Sequence, residues 1–182
     1  ITENSSLRIT PWGQYLAVFF LGAQGLPLTQ SEYSWQLYFA FGKSLASLHR
    51  FSQSFHPIEA VQPNWEEQLH WCETILRTYH ADAAALSEID ILRNFFGKLP
   101  RTNDLYGLVH YDYEAQNIFF DPETQEFCPI DFDDSIYHWY VIDVERSTRA
   151  IRNSLSAKQS SSAVQDFIAG YRSELMLSDD LL

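Results

Sequence analysis

Apolar positions recur at three- and four-residue spacing along much of this chain, which predicts several amphipathic helices. Thr29 and Glu32 form a capping-box pair, so a first helix is expected to begin near Gln30. Tyr38, Phe41, Leu45 and Leu48 give it one buried face. A second helix starts at Asn64, with Pro63 before it and Glu67 three residues on; Leu69, Cys72, Leu76 and Tyr79 form its stripe. A third spans about 82–98, with Ala85, Ile89, Leu92, Phe96 and Leu99 in register and Pro100 as its stop. Two more are expected over about 136–153 and 160–175. The tryptophans Trp65, Trp71 and Trp139 are read as core, although aromatic side chains could also cage a cation.

Elsewhere the pattern is that of strands. Residues 5–10 and 14–20 are β-prone runs broken at Trp12-Gly13. The second is nearly all apolar, as in a strand covered on both faces, and ends at Gly22, Gly25 and Pro27. Residues 105–109 form a short strand followed by a polar loop. Residues 117–120 and 127–130 read as a hairpin around Asp121 to Gln125, with Pro129 suited to an edge. The fold class is α+β, mainly helical, with a short β-hairpin.

The 182 residues suit one compact unit. Twelve basic against 24 acidic residues give a formal charge of -12, which argues against nucleic acid and anionic membranes as partners; it reads first as solubility and would also suit a cationic ligand. Cys72 and Cys128 are far apart, with no paired Cys/His spacing, so a reducing compartment, the cytoplasm, is expected. No apolar run is long enough for a membrane span. The opening Ile1-Thr2-Glu3-Asn4 shows neither a signal-peptide pattern nor an initiator methionine, which raises the expectation that a longer chain was cut.

The segment that carries chemistry runs from His110-Tyr111-Asp112 to Asn117, followed across the hairpin by Ile130-Asp131-Phe132-Asp133-Asp134. Phosphoryl transfer needs an aligned hydroxyl and cations that neutralise charge on the phosphate oxygens. One carboxylate must face the nucleophile while a separate oxygen pair holds Mg²⁺. Asp112 fits the first role, and Asn117 with Asp131 the second. Taken singly, Asp112 reads as a turn or cap residue and Asn117 as a strand start; at this spacing the set points to a site. His110 is expected to brace the loop rather than act as a base. Asp133 and Asp134 are open between helix capping and a metal or substrate role. Asp143 is expected to be structural. His49, His56, His70 and His80 show no metal-ligand spacing with one another.

These residues resemble the aminoglycoside phosphotransferase and choline kinase group, whose pattern reads His-Gly-Asp, four residues, Asn, then Ile-Asp and a further Asp. Tyr111 stands where that group carries Gly, and Asp143 in Val141-Ile142-Asp143-Val144 looks like its later Asp. His138-Trp139-Tyr140 replaces a Gly-Asp-Pro. The chain also departs from protein kinases, which carry Arg at the position of Tyr111 and Gly at that of Asp133. The resemblance implies a hinge at Phe19, Phe20, Leu21, Gly22 and Ala23 that receives a nucleobase. It divides the chain into the end of an N-lobe with the hinge (1–28) and a C-lobe (29–182), with a catalytic loop at 108–117 and a metal segment at 130–134. Lys43, Lys98 and Lys158 all lie on or beside expected helices, and no glycine-rich phosphate loop occurs.

The expectation is therefore the catalytic C-lobe of a phosphotransferase, using Mg²⁺ and ATP (or GTP) on a small hydroxylated substrate, cationic or not. Its N-lobe is missing in cis, about 80 to 120 residues by domain-size norms, so residues 1–182 alone should show little activity. The rival reading is a pseudokinase-like binding module without transfer.

Overall fold

The computed structural model describes residues 4–10, 13–19, 21–57, 62–80 and 82–177. Phe20, assigned above to the hinge, lies outside them. Strands β1 (Asn4–Thr10) and β2 (Gly13–Phe19) pair antiparallel, with Asn4 opposite Phe19 and Thr10 opposite Gly13. A two-residue strand β3 (Leu26–Pro27) then leads into a 3₁₀ turn over Leu28–Gln30.

Helix α1 (Trp35–Ser54) starts later than its sequence pattern suggests. Thr29 sits inside the 3₁₀ turn that buries Leu28, and the N-cap is Ser34, whose side chain accepts from the Leu37 N–H at 3.2 Å. For α2 (Trp65–Thr78) the expected capping box is present in full: Asn64 accepts from the Glu66 and Glu67 amides, and Glu67 reaches back to the Asn64 N–H at 2.8 Å. Helix α3 (Ala83–Phe96) is capped by Asp82. Strand β4 (Tyr106–Val109) is followed by the hairpin β5 (Ile118–Asp121) and β6 (Glu126–Pro129). The order β3-β5-β6 leaves Pro129 on an edge strand, where its missing N–H costs nothing.

Residues 136–139, read above as the start of a helix, form strand β7 (Ile136–Trp139) instead. They pair antiparallel with β4, Val109 opposite Ile136 and Tyr106 opposite Trp139. β-branched and aromatic residues favour this pleated surface, and the partner strand supplies hydrogen bonds that local periodicity cannot reveal. Helices α4 (Val141–Ser154) and α5 (Ala157–Arg172) complete the chain.

The main core joins α1, α4 and α5 with the loop after β4. Phe41 stacks on Tyr113 at 5.4 Å and packs against Phe167 at 5.0 Å, all three buried. Each such side chain contributes roughly 1.5–3 kcal/mol on burial. Helices α1 and α5 touch backbone to backbone through one glycine apiece. A Cβ at Gly42 would lie 1.9 Å from the Phe167 carbonyl oxygen, and one at Gly170 would lie 1.9 Å from that of Phe39. A smaller cluster of Trp65, Leu69, Ile89 and Trp139 seats α2 and α3 against β7. Trp71 is not part of it: the side chain is exposed on the outer face of α2. Among the described residues no helix is long and apolar enough to cross a membrane.

Candidate active site

The site grows out of the β4–β7 pairing. Strand β4 ends at Val109, and the next residues, His110 to Asn117, form the loop. Strand β7 ends at Trp139, so α4 begins directly beneath that loop, with Asp143 in its first turn. There the carboxylate, fully buried, accepts three hydrogen bonds. The His110 N–H reaches Oδ2 at 2.9 Å, the Tyr111 N–H reaches Oδ1 at 2.7 Å, and His49 Nε2 donates to Oδ2 at 3.0 Å. A buried carboxylate is tolerable only when donors replace its water, and a helix N-terminus further favours negative charge. Asp143 thus holds the loop after β4 by its backbone.

No metal-ligand spacing announced His49. It lies on α1 one turn beyond Leu45, on the buried face, and a polar residue in an apolar stripe is the signal that finds it. Its Nδ1 shares a 2.8 Å hydrogen bond with the Tyr171 hydroxyl of α5, and its ring stacks on Tyr140 at 4.5 Å. Burial and the neighbouring Asp143 push the Tyr171 phenol well above its ordinary value, so it stays protonated. Four elements therefore meet at one loop: α1, α4, α5 and the end of β4.

His110 braces the loop from inside. Its Nε2 lies 2.9 Å from the Ile130 carbonyl and its Nδ1 accepts the Asp112 N–H at 3.3 Å. A carbonyl requires a donor and an N–H an acceptor, so the ring is the Nε2–H tautomer with both nitrogens occupied. Behind it lies a cleft of about 310 Å³ lined by Leu48, Phe51, Phe55, Leu108, Phe132 and Ser135.

Asp112 and Asn117 touch. The Asn117 Nδ2 donates to Asp112 Oδ2 at 2.7 Å and to the Asp112 carbonyl at 3.1 Å. Both bonds use the amide nitrogen, so neither engages Asn117 Oδ1 or the second carboxylate oxygen of Asp112. The Ile130 N–H donates to the Asn117 carbonyl at 2.9 Å, so the hairpin brings Asp131 beside Asn117 in the chain path. Asp131 is exposed and holds a left-handed backbone, φ 64°. Tyr111 does the same at φ 69°. For bulky residues this region costs on the order of 1–3 kcal/mol and persists only where surroundings enforce it.

Asp133 and Asp134 lie exposed in the turn before β7, closed by a Ser135 N–H bond to the Phe132 carbonyl at 3.1 Å. They cap no helix: the residue preceding α4 is Tyr140. In the linker Leu21 and Gly22 are exposed and Ala23 is half-buried. Among the described residues no cluster of three or more His, Cys, Asp or Glu side chains could hold a metal. An oxygen set of one amide and one carboxylate nevertheless fits a hard cation such as Mg²⁺, which keeps several waters and takes few protein ligands.

A model of the phosphotransferase enzyme family matches residues 13–180. The amicoumacin kinase of Bacillus subtilis (strain 168) is 27% identical over 136 residues, covering 72% of this chain and 39% of that protein. Among solved structures, an amicoumacin kinase in complex with AMP-PNP, Ca²⁺ and Ami superposes with a TM-score of 0.75 at 23% identity, covering 96% of this chain and 55% of that one. An aminoglycoside phosphotransferase from Streptomyces rimosus, in complex with ADP and streptomycin, gives 0.67 at 17% identity, covering 98% and 71%. The fold, mainly helical with a small antiparallel β-core, is that of these two structures, and the chain covers 39% of the Bacillus subtilis protein and 55% of the first structure.

Proposed function

The chain belongs to the phosphotransferase enzyme family, and from that premise we propose that it is the catalytic C-lobe of an ATP-dependent kinase of a small hydroxylated compound. The observation that carries this reading is the Asp112–Asn117 contact on a loop held by Asp143. It leaves one carboxylate oxygen and one amide oxygen outside that contact, on a backbone anchored by Asp143.

In this reading Asp112 aligns the acceptor hydroxyl and receives its proton as the oxygen attacks the γ-phosphorus. Asn117 Oδ1 and Asp131 hold Mg²⁺. When bound, the cation neutralises charge on the phosphate oxygens. The nucleobase of ATP (or GTP) is received at the linker from Phe19 to Ala23, with residues 1–28 as the end of an N-lobe and 29–182 as the C-lobe. The missing N-lobe, in cis, supplies the phosphate-covering loop and lysine. The net charge of -12 and the exposed carboxylates at Asp131, Asp133 and Asp134 favour a cationic acceptor. Two free cysteines suit the cytoplasm.

The test is ATP turnover by the longest naturally expressed form across aminoglycosides, amino alcohols and sugars, with Asp112→Asn alongside. Turnover stimulated by one class and lost in the variant supports the proposal; equal turnover in both proteins removes Asp112 from the mechanism. Nucleotide binding with no transfer to any acceptor would favour a binding module.

A further inference from the structure

Helix α4 grips Tyr111 twice. Asp143 takes its backbone N–H at 2.7 Å, and Arg146, three residues on and so on the same helix face, places its guanidinium 3.9 Å from the centre of the Tyr111 ring. The ring also packs against the cluster of Val109, Ile136 and Tyr140, with His138 at 6.1 Å. Among the described residues Arg146 forms no ion pair, in a chain with twice as many acidic as basic side chains. Its charge is committed to the ring.

This matters because Tyr111 stands in the left-handed region, where glycine is at ease and an aromatic residue is not. The next residue is Asp112. Were Tyr111 to relax to negative φ, the peptide linking it to Asp112 would rotate and the carboxylate would swing away from Asn117. We propose that Arg146 is a positioning residue for Asp112: by holding the Tyr111 ring from above, it keeps the strained backbone in place and aims the carboxylate. The proposal rests on the phosphotransferase reading for its consequence but not for its mechanics.

The test is amide hydrogen exchange at His110 and at position 111 in the longest naturally expressed form. Wild type, Arg146→Met, Tyr111→Gly and the double variant are compared. Both amides are held by Asp143, so their exchange reports opening of the loop. Arg146→Met is expected to speed exchange about tenfold beside Tyr111, the scale of a desolvated cation–π contact. In the Tyr111→Gly background the same change should alter exchange by less than about twofold, because no ring is left to hold. Arg146→Lys, keeping the charge, should recover part of the protection. In turnover, Arg146→Met should lower kcat with the KM for nucleotide unchanged, again only beside Tyr111. Equal acceleration in both backgrounds, or none in either, overturns the proposal, as does coupling in exchange with kcat untouched. Coupled exchange in a protein that transfers phosphate to no acceptor supports the grip and sinks the phosphotransferase reading instead.

Discussion

The two halves of the candidate site are built to opposite rules. The loop from His110 to Asn117 is pinned throughout: two backbone amides on buried Asp143, His110 between Ile130 and Asp112, and Asn117 on Asp112. The segment from Asp131 to Asp134 is exposed at every residue, and its carboxylates face water. The loop is thus organised by the protein itself, whereas the exposed segment leaves its carboxylates to solvent. Substitutions should separate the two cleanly: those beneath the loop act on folding, those in the segment on binding.

The largest effect is expected at Asp112. Asp112→Asn should cut transfer by about 10²–10⁴-fold, the usual contribution of a positioned base, with nucleotide affinity nearly unchanged. Single-turnover kinetics beside a nucleotide titration would check it. Asp143→Ala comes next. Removing one partner of a buried, hydrogen-bonded charge leaves His49 and two amides unpaired, so denaturant unfolding should show a loss of about 3–5 kcal/mol. Asp131→Ala should leave the unfolding midpoint nearly unchanged and weaken Mg-nucleotide binding. Equal destabilisation by both variants would break the contrast.

A third effect concerns His138, on β7 below Tyr111. Burial drives its pKa down to about 4, and its Nδ1 accepts the Trp139 N–H at 2.9 Å. The unfolded chain binds this proton at the ordinary value near 6.5, so unfolding is favoured progressively as pH falls from 6.5 towards 4. The loss approaches ~3 kcal/mol below both values and is absent above 6.5. Over that window the stability difference between wild type and His138→Gln should shift in the variant's favour; parallel curves would mean another group governs the acid limb. The smallest effect is at the helix contact that brings Tyr171 to His49. Gly170→Ala forces α5 off the Phe39 carbonyl and should cost about 1–3 kcal/mol. Thermal unfolding would check it.

Much of this was legible without coordinates. The Asn64–Glu67 box is local chemistry, and it starts α2 where the residues say. The spacing of Asp112, Asn117 and Asp131 points to one site because a hairpin must return one end to the other, and the structure does bring the first two into contact. Local signals failed where a distant partner outweighed them. Thr29 and Glu32 have the right spacing for a cap, yet burying Leu28 turns the chain there and passes the role to Ser34. Ile136–Trp139 became a strand because β4, some thirty residues earlier, offered it a ladder.

By itself, then, the sequence determined the helices with strong caps, the phosphotransferase pattern and the acidic character of the chain, since each depends on neighbours or on simple sums. Only the tertiary structure decided that His49, Asp143 and Tyr171 meet, that Arg146 covers Tyr111, and that Asp133 and Asp134 cap nothing. Those outcomes come from hydrogen bonds and packing between segments as much as 122 residues apart, which no periodicity along the chain encodes.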